Sequence, residues 1–325
     1  MNLTIRLAER SIQKLYPLPV DGEANWYAGP GLNSWQADIA LPALPRDHII
    51  VPSYMQLHDH GRYHFEFCNG DTKSILQYVP GMAEQQENAR TEVVAGKVAA
   101  VSTHIDCWHT TTDTATSTVT VVVESADKPC NYLLVVGLRP LNIEPEIPPT
   151  GGKVVVPVPA SISQMQAEAA VARRICSPTA LQMALSKFTR HPSWEATVSA
   201  CYDPISKAYG SWPLAIRWAG KQGVVGAVEV FSHWSDALAL LQQQIPMVCS
   251  IRFNSGELKH APLTETPGHL VLLYGVDGNE VLVKDPAAAD HQNVQRRYAL
   301  EEFINAWLCR RGAAYILAAQ TTNGV

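Results

Sequence analysis

The sequence predicts an α+β protein in two parts, an N-terminal β-sandwich-like domain over residues 1–150 and a second domain over 151–325 in which helices pack on an antiparallel sheet. Three observations predict this. The first half is rich in Thr, Val and Pro, with short β-branched runs punctuated by turn residues, as in a sandwich. LRPLNIEPEIPPTGGKVVVPVPAS then carries six prolines and a Gly-Gly pair. Proline denies backbone donors to helix and sheet, so this stretch reads as an extended connection, with the boundary near Thr150 and the linker running to about 160. After it, helical patterns come first and a run of strands follows, the α+β signature.

Taken in order, Ile49–Tyr54, Tyr63–Cys68, Val98–Trp108, TSTVTVVVES (116–125) and NYLLVVGL (131–138) read as strands. SPTALQMALSKF (177–188) reads as a helix opened by Ser-Pro, since proline is tolerated in a first turn where its missing N–H would have had no partner. WPLAIRWAGKQG (212–223) is a second helix closed by Gly223, GAVEVF a strand, and SHWSDALALLQQQ (232–244) a Ser-capped helix. MVCSIRF, HLVLLYGV and EVLVKDP follow as strands, LEEFINAW as a helix and AAYILAA as a last strand.

Composition narrows the function classes. The chain has 325 residues, 17% of them charged, and a net charge of -5, so it offers no electrostatic footprint for nucleic acid or an anionic membrane. No apolar stretch reaches the roughly 18 residues of a membrane span. The N-terminus, MNLTIRLAERSIQKLYPLPV, lacks a basic start followed by an apolar block, which predicts a cytoplasmic protein. The seven cysteines are odd in number, scattered and without CxxC, which predicts neither a disulfide framework nor a structural zinc site.

Among the cysteines, Cys176 stands at a helix start, after two arginines. Free backbone N–H groups and the helix dipole favour an anion there, so its thiol pKa should fall, and its own N–H could point at a developing oxyanion. His269 opens the apolar strand of TPGHLVLLYGV, and Asp285 ends EVLVKDP sixteen residues later. A tight turn at Asp277-Gly278-Asn279 would fold these strands into an antiparallel hairpin and bring 285 near 269. An aspartate so placed holds an imidazole in one tautomer and steadies the imidazolium. Taken singly, each residue has a plainer reading: a buried thiol, a strand-end histidine, a turn aspartate. The joint arrangement points to nucleophilic catalysis, with sulfur and imidazole expected about 3–4 Å apart. A side-chain oxyanion donor is also needed, and Gln164 and Gln166 in SISQMQAEAAVARRICSPTAL are the candidates, with Gln166 the better fit to solvated filler.

ICSPTALQMAL, PGHLVLLYGVDG and VLVKDPA together resemble the stand-alone relatives of the bacteriocin-processing, double-glycine leader cysteine peptidases, over roughly residues 155–318. The resemblance implies a papain-like fold and hydrolysis of a peptide or protein substrate. By matching positions, it also implies Cys176 as nucleophile, His269 as base, Asp285 as orienting residue and Gln164 as oxyanion donor. It implies no metal and no organic cofactor. Cys-Ser-Pro-Thr is the form of the stand-alone branch, whereas transporter-linked members carry Asp-Cys-Gly. Arg174 stands where that branch often has a less polar residue. The N-terminal half resembles a β-rich domain that accompanies some of these peptidases.

Two other clusters were weighed as metal ligands: His58, His60 and His64 in LHDHGRYHFEF, and the HxxCxH of His104, Cys107 and His109. On a single strand 107 and 109 share a face and 104 does not, so polar loop or strand residues are the better reading. Trp35, Trp108, Trp194, Trp212, Trp218 and Trp234 are expected in packing, with a substrate cleft the alternative for Trp212. Burial is expected for Cys68, Cys107, Cys130, Cys201, Cys249 and Cys309. The alternatives to hydrolysis are acyl transfer by the same three groups, or a non-catalytic protein that binds a peptide or glycan.

Overall fold

A computed structural model describes residues 2–57, 61–76, 78–81, 100–144, 146–148, 152–188 and 192–319. The first half runs β1 Leu3–Ala8, α1 Arg10–Gln13, β2 Tyr27–Ala28, β3 Ser34–Leu41, β4 His48–Gln56, β5 Arg62–Asn69 and β6 Thr72–Ile75. It continues with β7 Val101–Thr103, β8 Trp108–Thr110, β9 Ser117–Glu124 and β10 Tyr132–Pro140. The rest runs β11 Lys153–Val155, α2 Cys176–Leu185, α3 Trp194–Ala200, α4 Trp212–Lys221, β12 Val225–Val230, α5 Trp234–Gln242 and β13 Met247–Phe253. It ends with β14 Thr266–Asp277, β15 Glu280–Lys284, β16 Gln295–Ala299, α6 Leu300–Trp307 and β17 Ala313–Ala318. The protein is thus mixed α and β, with six α-helices among the described residues and antiparallel pairing between all its named strands.

The strands form three sheets, ordered β1-β10-β4-β8-β7, β2-β3-β9-β5-β6 and β12-β17-β13-β14-β15-β16, with β11 also on β14. The first sheet is covered on both faces, and strand alternation shows how. Ile50, Tyr54, Leu134 and Val136 enter a core shared with Phe65, Phe67, Val119 and Val121 of the second sheet. Their neighbours Ile49, Val51, Leu133 and Val135 enter a different core, shared with Ile216 and Ala219 of α4 and Ala227 of β12. One continuous core therefore joins the first sheet to the C-terminal region. The boundary expected near Thr150 lies outside the described residues.

Polar links cross the same interface. Glu229 of β12 is buried and accepts from Arg6 Nε and Nη2 at 2.8 and 3.0 Å and from Tyr16 at 2.7 Å. Ser53 Oγ accepts from Val228 N at 2.9 Å. Arg139, fully buried, donates to the carbonyls of Phe231 and Leu308, both at 2.6 Å. Gly312 must remain glycine here: its φ is +60°, and a Cβ would collide with the Arg139 guanidinium and the Phe231 carbonyl.

Three local expectations change. Residues expected as one strand, Val98–Trp108, fold as the β7–β8 hairpin, closed by His104 N–H donating to Cys107 O at 2.9 Å; residues 98 and 99 lie outside the described set. Tertiary pairing of Ile50 with Trp108 on β4 fixes where this chain turns back, information that local propensity lacks. The helix at Trp234 is preceded by His233 in the cap position, with no side-chain cap bond, so Ser232 is not the cap. Cys130 is exposed, and Cys68 and Cys309 are half-buried, whereas Cys107, Cys201 and Cys249 are buried as expected.

Removing the Glu229 carboxylate strands a largely buried guanidinium and a buried phenol. Glu229→Ala should therefore cost about 3–5 kcal/mol, read as a lower midpoint in urea denaturation at unchanged slope.

Candidate active site

Helix α2 begins with the candidate nucleophile itself, Cys176, followed by Ser177 and Pro178 within its first turn. Every residue from Ser177 to Leu185 is buried, so the helix is anchored on all sides and its N-terminus is fixed. Ser177 Oγ hydrogen bonds the Tyr315 hydroxyl of β17 at 2.9 Å, which ties the start of the helix to the sheet.

His269 and Asp285 come from neighbouring strands. Asp277 pairs with Glu280 across a two-residue turn in which Gly278 has φ +61°. The ladder then runs to Leu272 opposite Lys284, with one bulge near Gly275. Asp285 follows β15 directly, and its Oδ1 lies 2.8 Å from His269 Nε2. Both side chains are buried, at 3% and 1% exposure, so their attraction is little screened but must also offset the cost of taking both out of water. Since Nε2 faces the carboxylate, Nδ1 is left for the sulfur, and the side chains of His269 and Cys176 are hydrogen bonded.

The electrostatics follow. Burial pushes the Cys176 thiol up, but the bond to His269, its charge, and the N–H groups of Leu270 and Ser177 outweigh this and leave the pKa below that of an ordinary thiol. Burial pulls the His269 imidazolium down, yet Asp285 and Cys176 push it up to about 10. Burial raises the Asp285 carboxyl, and His269, the Tyr298 hydroxyl and the Ala287 N–H bring it net below the usual range.

The structure thus brings Cys176, His269 and Asp285 together. Gln164 sits in a 3-10 turn, its backbone N–H donating to Pro286 O at 2.8 Å, directly after Asp285. It is buried, and its Oε1, an acceptor, has no hydrogen-bond partner among the described residues. Gln166 is occupied elsewhere, its Nε2 donating to Ala289 O at 2.9 Å. Sequence reasoning missed Tyr298 of β16, which donates to Asp285 Oδ2 at 2.7 Å, and the Ala287 N–H, which donates to Oδ1 at 2.9 Å. The one trace of Tyr298 in the sequence is a single aromatic in the polar strand QRRYA, which says nothing of its partner.

Of the clusters weighed as metal ligands, His58 and His60 lie outside the described residues, and His64 bonds Glu66 at 3.2 Å. His104, Cys107 and His109 are gathered by the β7–β8 hairpin: the two rings stack with centroids 3.8 Å apart, and Cys107 Sγ lies 3.8 Å from His109 Nε2. The hairpin, which the strand reading lacked, returns His104 to the side of His109. No group of three His, Cys, Asp or Glu residues suited to a metal ion occurs among the described residues. Nor, among them, is any helix long and apolar enough to cross a membrane. Trp212 is buried, with the Arg311 guanidinium 5.9 Å from its ring centroid.

Residues 158–315, just under half the chain, match the peptidase C39-like family, which relates this region to the bacteriocin-processing C39 cysteine peptidases. No curated protein matches the chain.

A thiol poised in this way should stay reactive in mild acid. Between pH 8 and 6 the alkylation rate of Cys176 by iodoacetamide, read by peptide mass spectrometry, should fall less than about threefold, against about tenfold per unit for a free thiol below its pKa. Exposed Cys130 serves as the internal comparison. In His269→Ala, Cys176 should lose this advantage.

Stability responds on both sides. His269 is raised, so its contribution is complete below about pH 6.5 and fades as the pH climbs to about 10. Asp285 is lowered from 3.8, so its contribution holds above that pH and is lost as acid titrates the folded carboxylate. Tyr298→Phe removes a donor to a buried charge and should cost about 1.5–3 kcal/mol near pH 7 in urea denaturation, with the difference from wild type shrinking once acid protonates Asp285.

Proposed function

We propose that the chain is a cysteine peptidase that hydrolyses peptide bonds through a thioester, with Cys176 as nucleophile, His269 as general base and acid, and Asp285 as the residue that orients His269. The observation that carries this reading is the hydrogen-bonded series Cys176–His269–Asp285, with His269 and Asp285 buried and the half-buried sulfur at a helix N-terminus. Kinship to a peptidase family supports it and points to a peptide or protein substrate. On this reading the C-terminal region is papain-like, residues 1–150 form a β-rich accessory domain, and the protein works in the cytoplasm without a cofactor.

His269 Nδ1 takes the proton of the Cys176 thiol, or the two already rest as thiolate and imidazolium. The sulfur attacks the peptide carbonyl, and negative charge develops on its oxygen. As the first residue of α2, Cys176 has a backbone N–H with no carbonyl one turn back to accept it, so it can donate to that oxygen. Gln164, beside Asp285 in space through its backbone bond to Pro286 O, is the second donor through its Nε2–H. The leaving amine takes the proton from His269. Water, activated by the same imidazole, then cleaves the thioester.

Incubation of the purified protein with a proteome-derived peptide mixture should yield new termini by mass spectrometry. Cys176→Ala or His269→Ala should lower turnover by about 10⁴-fold or more, and Asp285→Ala by about 10²–10⁴-fold. Turnover that survives Cys176→Ala would overturn the assignment. Amide products that outweigh free acids when an amine is added would replace hydrolysis by acyl transfer.

A further inference from the structure

A second group of chemistry-bearing side chains lies beside the Cys176 site, and the proposed mechanism does not use it. Arg252 stands on β13 where the ladder is irregular: Ile251 pairs with His269 and Phe253 with Thr266, so Arg252 faces Pro267 and Gly268, the two residues leading into His269. Its Nε donates to Pro267 O at 2.6 Å, and its side chain is exposed. Pro267 and Gly268 are exposed too, and a Cβ added to Gly268 would meet nothing within 4 Å. The backbone leading into His269 is therefore open to solvent here, while the imidazole itself is buried.

Arg311 comes from the turn before β17. Carrying the β13–β17 register past Val248 opposite Tyr315 sets Arg252 opposite Arg311, and the two guanidiniums repel one another. The stacked pair His104 and His109 arrives from the β7–β8 hairpin, and both rings feel Arg311 and Arg252. The tip of that hairpin docks on the other wall, where Asp106 Oδ2 accepts from Trp212 N–H at 3.2 Å. Asp106 and Cys176 both bear on Tyr315, whose hydroxyl bonds Ser177 next to the sulfur. Two arginines and two imidazoles thus gather around Arg252, beside the exposed residues Pro267 and Gly268 that lead into His269.

This group lacks a committed anion. Neither Arg252 nor Arg311 has a carboxylate salt-bridge partner among the described residues, whereas nearby Arg310 is paired with Glu257 at 3.0 Å. The carboxylate that feels Arg311 is Asp106. Burial pushes it up to about 7, and it is already bonded to Trp212 N–H and Ser211. Burial and the arginines lower the His104 and His109 imidazolium pKa, His109 to about 4, so near neutral pH the rings act as hydrogen-bonding groups and the arginines carry the charge. Grouping like charges costs free energy, and a bound anion would offset it.

We infer that Arg252 and Arg311, with His104 and His109 at their side, form a subsite that receives a carboxylate of the peptide bound at Cys176, borne on an acidic side chain or at its C-terminus. The guanidinium fork matches the two oxygens of a carboxylate, and the hairpin from the N-terminal half closes the subsite. This rests on the proposed peptidase reading for the nature of the ligand, though not for the charge it carries.

The test uses the full chain with Cys176→Ala and isothermal titration calorimetry. Its probes are hexapeptide pairs that differ only by Glu against Gln at one position, each with a free or amidated C-terminus. The acidic member of at least one pair should bind roughly tenfold or more tighter, and the preference should fall to near unity in Arg252→Gln/Arg311→Gln, its fold verified by circular dichroism. Preference that follows Glu identifies a side-chain subsite; preference that follows the free terminus identifies a carboxyl-terminal one. Equal binding of acidic and neutral members, no binding at millimolar peptide, or a preference that survives the double substitution would each overturn the inference. Wild-type turnover separates the two readings. An Arg-dependent carboxylate preference without turnover leaves the subsite standing and removes the peptidase. Turnover indifferent to carboxylates does the reverse.

Discussion

Two buried ionisable groups, His269 and Asp285, meet the half-buried Cys176 at the start of α2, and much of the C-terminal architecture answers the cost of keeping them there. An isolated carboxylate or imidazolium taken out of water costs several kcal/mol even after relaxation. Asp285 is compensated by three donors, from His269, Tyr298 and the Ala287 N–H. His269 is compensated by Asp285 on one ring nitrogen and Cys176 on the other. The sulfur is compensated by His269, two backbone N–H groups and the helix start. Each partner lies on a different element, so the site exists only while β14, β15, β16 and α2 hold their mutual register. The bulge near Gly275 and the turn at Gly278 set that register. They do for geometry what the donors do for charge.

The N-terminal sheets are built into the same body. Alternate residues of β4 and β10 face two different cores, so the first sheet is a shared wall. Glu229 with Arg6 and Tyr16, and Arg139 with two carbonyls, fix the angle at which this wall meets the C-terminal sheet. One consequence is positional. The β7–β8 hairpin reaches across to Trp212, and the N-terminal half thereby brings His104, Asp106 and His109 to the C-terminal region, near Arg252 and Arg311.

Most of the C-terminal elements were legible because their signals are local. A fully apolar run marks β14, a glycine marks its turn, and Ser-Pro marks a helix start that accommodates proline. The order of Cys176, His269 and Asp285 was legible for a related reason: two of the three are joined by a short hairpin, whose pairing follows from turn chemistry. Tyr298 was not legible, since its role depends on β16 folding back on β15 after an irregular loop. Nor was the return of the chain at His104–Cys107, because β-branched composition there suits a straight strand as well as a hairpin. α3 was missed as well: its pattern is only weakly apolar, and Thr197 alone is buried.

The sequence by itself determined that Cys176, His269 and Asp285 are the three residues the proposed mechanism draws on, because helix start, strand end and tight turn are each written in a few adjacent residues. Only the tertiary structure decided which donors satisfy Asp285, which groups surround the thiol, and that two arginines and two histidines from distant segments come together. Those facts depend on pairings between strands far apart in the chain. Such pairings are settled by the packing of whole faces and the burial of charge, which no short window of sequence encodes.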